Sequence, residues 1–295
     1  MPNLKEVRTR IESVKSTQQI TSAMKMVAAS KLRKAQNAII KLRPYASKLH
    51  EILQNLSKSI EDSEEHVYSE VREPENILLI IIASNRGLCG AFNANVIKTA
   101  NNLIEKKYNK QFKSGNLSIF CFGKKISDYY SKEEYKITET NNEIFDNLTF
   151  DNVAPIAENL MKDFADEKYD RIEIIFNHFI NAAVQRLVSV QYLPIVPETQ
   201  SGSHQHELNA DFIFEPNKEE ILKELIPKSL KIQLYKAILD SFVSEQGARM
   251  TAMHQATDNA QEILKNLKLS YNKARQAAIT NEILEIVSGA NALNE

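Results

Sequence analysis

The chain has 295 residues, with 37 basic and 38 acidic side chains and a formal net charge of −1, so it is not a polycation as a whole. Length leaves room for about two domains, and 43% hydrophobic with 25% charged residues is an ordinary globular balance. The longest apolar run, Ile77–Ala83, is far short of the roughly 20 residues of a membrane span, the opening MPNLKEVRTRIE has no apolar signal core, and Cys89 and Cys121 are too few for a disulfide framework or a four-cysteine zinc site, which leads us to expect a reducing compartment.

Residues 1–60 hold twelve Lys/Arg against three acids, and residues 61–75 then carry seven acids against Arg72, a shift that reads as a linker. Within the first segment Leu4, Val7, Ile11 and Val14 follow a 3-4-3 spacing. Leu32, Ala35, Ile39, Leu42, Ala46, Leu49, Leu53, Leu56 and Ile60 continue the frame. Gln18, Thr21 and Lys25 interrupt it, and the apolar face is expected to pass there to Ile20, Met24 and Val27. A sustained 3.5-residue period winds helices into a left-handed coiled coil. The spacing predicts one helix of about 57 residues, roughly 85 Å long, bent at Arg43–Pro44 if the lost donor of Pro44 is felt.

The middle reads as α/β. Ile77–Ser84, Leu117–Gly123, Arg171–His178 and Leu187–Tyr192 are predicted strands, and Asn93–Lys107 and Ala154–Asp166 predicted helices. Strands alternating with helices imply a small sheet with covered faces. Thr199–His206 reads as a polar loop.

From about 217 to 293 helical spacing returns. Ile232, Tyr235, Leu239 and Phe242 form one frame; Met253, Ala256, Ala260, Ile263 and Leu267 resume it. Ala274, Ala278, Ile279, Ile283, Ile286, Ala290 and Leu293 then shift it by one. Pro227 is a candidate break. Neither terminal helix has a face broad enough for a globular core, so each calls for another long helix. Placed antiparallel with inner ends aligned, the C-terminal helix overshoots by roughly 25 residues, about 35 Å. No Lys or Arg follows Arg275, and residues 277–293 are largely apolar. A lone helix of that kind is unstable in water and calls for a partner's cavity, unless it packs on its own chain.

The motifs that suggest chemistry are weak. The glycine pair in Ser84–Phe92 (SNRGLCGAF) follows a strand and precedes a helix, where α/β folds bind phosphates. The third glycine of a dinucleotide fingerprint and the G-K-[ST] of a P-loop are both missing, and a tight turn explains it better. Arg86 reads as a salt bridge or a strand-end cap in preference to an anion contact. Cys89 reads as an activated thiol or, preferably, a small buried residue. His204 and His206 lack a third metal ligand. Glu64–Glu65 and Glu219–Glu220 look solvated. The basic first helix fits a solvated coiled-coil face, an acidic protein partner or nucleic-acid phosphates, in that order. No catalytic, cofactor or metal residue is assigned. An α/β enzyme with helical oligomerisation arms and a static scaffold or nucleic-acid adaptor stand as competing functions.

Four stretches resemble one family: Ile20–Gln36 (ITSAMKMVAASKLRKAQ), Ser84–Asn93 (SNRGLCGAFN), Ser244–Met253 (SEQGARMTAM) and Tyr271–Leu293 (YNKARQAAITNEILEIVSGANAL). They are similar to the gamma subunits of F-type ATP synthases, with Ile279–Ala290 the most specific match; residues 108–210 match only in outline. The resemblance implies an antiparallel coiled coil of the terminal helices, residues 1–60 and 211–295, with a Rossmann-like α/β domain inserted at 76–200 that binds no nucleotide. It implies a non-catalytic central-stalk rotor without cofactor. Such a rotor transmits rotation of the membrane c-subunit ring to the catalytic sites of an alpha/beta hexamer, and regulates ATPase activity and proton flow. The implied partners are the alpha, beta and epsilon subunits and the c ring, with no nucleic acid, at the cytoplasmic face of a bacterial inner membrane as a peripheral protein. By the same resemblance Met24, Arg249, Arg275, Gln276, Thr280, Glu282 and Glu285 match hexamer contacts, and Phe212, Phe214 and Glu215 match the foot near the c ring.

Overall fold

The computed structural model describes residues 4–57, 67–133, 135–195 and 218–292. The chain divides into two compact units, one of residues 1–29 and 249–295, the other of residues 30–248. Two long helices contribute to both: α1 (Leu4–Ser57) and α6 (Lys218–Ala292). Pro44 lies inside α1 and Pro227 inside α6, so the expected split at Pro227 does not occur. A helix tolerates one missing N–H where the packing of its neighbouring turns holds the backbone in place.

The unit of residues 30–248 is a three-layer α/β fold. Its strands are β1 (Ile77–Ile82), β2 (Leu117–Phe122), β3 (Lys136–Asn141), β4 (Arg171–Phe179) and β5 (Gln185–Leu193). Between them lie α2 (Phe92–Lys107), α3 (Asn109–Lys113), α4 (Lys124–Tyr130), a 3-10 turn at Glu143–Phe145 and α5 (Phe150–Ala165). The sheet order is β3-β2-β1-β4-β5, with β5 antiparallel to β4 and the other pairs parallel. All six residues of β1 and of β2 are buried, which is why they read as unbroken apolar runs. Ile77, Leu79, Ile81, Ile119 and Cys121 face Val96, Ala100 and Ile104 of α2 and Ile126 and Tyr130 of α4. Leu78, Ile80, Ile82, Phe120 and Phe122 face Val153, Leu160 and Phe164 of α5.

The same face also receives Leu230, Leu234, Ala237 and Ile238 of α6. The first half of α6 is therefore a sheet-covering helix as well as a coiled-coil strand, and the expectation that it serves only another long helix is corrected here. The 3.5-residue frame, Ile232 and Leu239, marks one buried side; Leu230, Leu234 and Ile238 mark a second. Gly247 shows how closely α6 approaches the β4–β5 turn: a methyl group there would lie 3.2 Å from Ala182 Cα.

Candidate functional site

The unit of residues 1–29 and 249–295 is an antiparallel helix pair. Thr257 Oγ1 lies 2.9 Å from Thr21 Oγ1 across it. Counting outward from that level in opposite chain directions sets Val14 beside Leu264, Val7 beside Tyr271 and Leu4 beside Ala274. The burial pattern agrees: Val7, Ala28, Met253, Ala260 and Leu264 are buried, and Leu4, Ile11, Val14, Thr257, Leu267, Tyr271 and Ala274 half-buried. On α6 Leu264 is buried where Ile263 was expected, and Ile263 is exposed, while Ala256 and Thr257 are both half-buried.

On α1 the frame never leaves the heptad. Gln18, Thr21 and Lys25 stay half-buried on the seam, while Ile20 (60% exposed) and Val27 (58%) point outward; Met24 alone of the expected replacements is half-buried. The flanking apolar layers fix the rotation of the helix, and the two turns between them cannot swing round to bury three other residues.

Past Ala277 every residue of α6 through Ala290 is exposed. Since Leu4 stands level with Ala274, α6 runs about 18 residues, roughly 27 Å, past the first described residue of α1. Ile279, Ile283 (55%), Leu284, Ile286 (65%) and Val287 are uncovered along it. Arg275, Gln276, Thr280, Glu282 and Glu285 are exposed on this end, with Thr280 donating to the Gln276 carbonyl at 2.9 Å. Arg249 lies in the same unit but is buried. Phe212, Phe214, Glu215, His204, His206 and the loop Thr199–His206 lie outside the described residues.

The glycine turn after β1 uses its polar groups on itself. Asn93 Oδ1 accepts from Ser84 N at 3.1 Å, Ser84 Oγ donates to the Arg86 carbonyl at 2.7 Å, and Asn93 Nδ2 donates to Cys89 Sγ at 3.3 Å. Asn85 bridges outward, donating to the Asn142 carbonyl at 2.7 Å and accepting from Lys124 N at 2.9 Å. Cys89 is buried inside this knot. Among the described residues no group of three or more His, Cys, Asp or Glu side chains is placed to hold a metal.

A buried polar strip on α6 was not found from the sequence: Asp240, Ser241, Ser244, Glu245 and Gln246. Ser244 Oγ donates to the Asn177 carbonyl at 3.0 Å, and His178 Nδ1 meets Asp240 Oδ2 at 2.9 Å. Five polar residues in seven on a coiled-coil helix is the signal that was available. Burial pushes the Asp240 carboxyl above its ordinary value, opposed by His178, Lys236 and Arg43. A raised folded value means a stability contribution that is present below the unfolded value and lost as pH rises through the folded one. Asp240→Asn cannot ionise, so its melting temperature relative to the native chain is expected to be highest near pH 7 and to fall as pH drops towards 4. Melting curves of both proteins across that range check it, and a gap that widens on acidification refutes it.

Comparison with known proteins places the whole chain. The ATP synthase family profile matches residues 3–293. The ATP synthase gamma chain of Flavobacterium johnsoniae is 58% identical and that of Christiangramia forsetii 56%, each over 294 residues and 100% of both chains. A chain of the Tetrahymena thermophila mitochondrial ATP synthase central stalk and c-ring structure is 26% identical with a TM-score of 0.57, covering 80% of this chain and 99% of that one. A chain of the Euglena gracilis mitochondrial ATP synthase, at 21% identity and a TM-score of 0.66 over 98% and 94%, shares the fold. The chain belongs to the ATP synthase gamma-chain family and is a non-catalytic subunit of the central stalk.

Proposed function

We propose that the chain is the turning shaft of a rotary ATP synthase, with its C-terminal end seated in a bore formed by alternating alpha and beta subunits. Its foot rests against the epsilon subunit and the membrane c ring, on the cytoplasmic face of a bacterial plasma membrane. The observation that carries this reading is the apolar overhang of α6, uncovered from Ile279 to Val287 by anything in its own unit. Apolar surface in that amount on a single helix needs a partner that excludes water. Small and apolar side chains make contacts without direction, so the shaft turns without losing strong bonds at each angle. Arg275, Gln276, Thr280, Glu282 and Glu285 supply directional contacts that favour some angles over others, which is how one shaft biases the states of the subunits around it. Phe212, Phe214 and Glu215 are assigned to the foot by resemblance alone. No helix of the described residues is long and apolar enough to cross a membrane.

The test is reconstitution with alpha and beta subunits. The native chain is expected to co-assemble and to restore organised ATP hydrolysis, and failure to assemble refutes the proposal. Ile283→Asp/Ile286→Asp alters only exposed positions, so the melting temperature of the isolated chain should not move. Affinity for the alpha–beta hexamer should fall at least about tenfold from lost apolar burial. Equal affinity would place the end outside the bore. Met24→Lys puts a charge beside the polar seam and is expected to lower ATP synthesis in membrane vesicles more than it lowers assembly. Unchanged synthesis counts against a coupling role for Met24.

A further inference from the structure

We infer that the helix pair has a built-in opening point at Gln18–Lys25 and Met253–Ala260, where the two helices part and admit water before the layers on the tip side of it do. Three consecutive α1 seam positions there are polar, Gln18, Thr21 and Lys25, whereas the next layers outward are Val14, Ile11 and Val7 against Leu264, Leu267 and Tyr271. Burial of apolar surface is what holds two helices together in water, and in these three layers only α6 supplies it, through buried Met253 and Ala260, while α1 presents polar side chains.

The cross-helix hydrogen bond does not make up the difference. Thr257 Oγ1 lies 2.9 Å from Thr21 Oγ1 and 2.7 Å from the Met253 carbonyl, and Thr21 Oγ1 lies 3.0 Å from the Gln18 carbonyl. Two hydroxyl protons serve three acceptors. Whichever hydroxyl donates across the pair gives up the bond to its own helix, so joining the helices gains no hydrogen bond over leaving them apart. Beside this layer an open groove of about 280 Å³ is lined by Gln18, Gln19, Ser22 and Thr257, all with polar groups that water satisfies. The apolar side chains that would close the seam, Ile20 and Val27, are on the outer surface instead. The layer is thus the place where the pair yields at least cost, whichever partner surrounds it.

Amide hydrogen exchange on the full chain tests this. Amides of 18–25 and 253–260 are expected to exchange at least about tenfold faster than those of 7–14 and 264–271, since a polar layer lacks the burial of a Val–Leu one. The filled variant Gln18→Leu/Thr21→Val/Thr257→Val should slow exchange in the first pair of segments to the level of the second. A disulfide between Val14→Cys and Leu264→Cys, formed equally in the native and filled backgrounds, shows that the register is kept. Equal protection along the native pair overturns the inference. So does a filled variant that keeps the register and exchanges as fast as the native chain.

Discussion

Replacing Gly123 by alanine is expected to destabilise the α/β unit by about 3 kcal/mol or more, on the order of 10 °C in melting temperature. Gly123 ends β2 and begins α4 with φ at +105°, a conformation that side chains disfavour. Strain is the smaller part. A Cβ at this position would lie 2.4 Å from the Ala83 carbonyl oxygen and 2.8 Å from its carbon, and neither is a flexible side-chain end. Ala83 N in turn donates to the Phe122 carbonyl at 2.8 Å, so the clash pushes apart the ends of the two central strands. Two other glycines separate the causes. Gly115 has φ +77° with nothing within 4 Å of an added Cβ, so Gly115→Ala tests strain alone and should cost about 1 kcal/mol. Gly289 lies in α6 in open space, and its replacement by alanine should cost nothing and favour the helix slightly. If Gly123→Ala melts within a degree or two of Gly115→Ala, the close approach to Ala83 is not what fixes this glycine.

The parallel strands were legible because burial on both faces leaves only apolar residues, as in ILLIII and LSIFCF. β3 was not, because it is an edge strand whose sequence KITETN has Ile137 as its one apolar residue. α4 spans seven residues, too few for a helical period to show. The helix pair was legible as a heptad and misleading in detail for a single reason: apolarity was allowed to choose the seam. Gln18, Thr21 and Lys25 hold the seam because their neighbours along α1 do, and Ile20 and Val27 pay with exposure. The double use of α6 was hidden for a similar reason. A heptad reading keeps Ile232 and Leu239 and overlooks Leu230, Leu234 and Ile238, which face the sheet. Of the candidate contact residues, the overhang carrying Arg275 to Glu285 followed from helix length, whereas choosing among its polar side chains depended on resemblance, since all of them are exposed.

Glu173→Ala is the other substitution expected to cost about 3 kcal/mol. Glu173 is buried on β4 and gathers partners from three elements: Lys107 and Tyr108 at the end of α2, Ser189 of β5 at 3.2 Å, and Arg171 one pleat away at 3.3 Å. Lys107 is partly exposed and regains water when the carboxylate goes. Tyr108 cannot, since it is among the most fully buried side chains. Burial first, then its hydrogen bond to Glu173, holds the phenol well above its ordinary value, so it stays a donor at all working pH. Removing the acceptor leaves that hydroxyl buried and unpaired, and leaves a cavity besides. Glu173→Gln keeps the shape and an acceptor oxygen and should cost about half as much. Tyr108→Phe removes the donor and should be mild. In the double variant Tyr108→Phe/Glu173→Ala the orphaned hydroxyl is gone, so the combined loss should be smaller than the sum by about 1 kcal/mol or more. Denaturant unfolding of the four proteins measures this coupling. Strict additivity would mean that the Tyr108 hydroxyl finds another acceptor, and that the network ties α2 to the sheet through Lys107 alone.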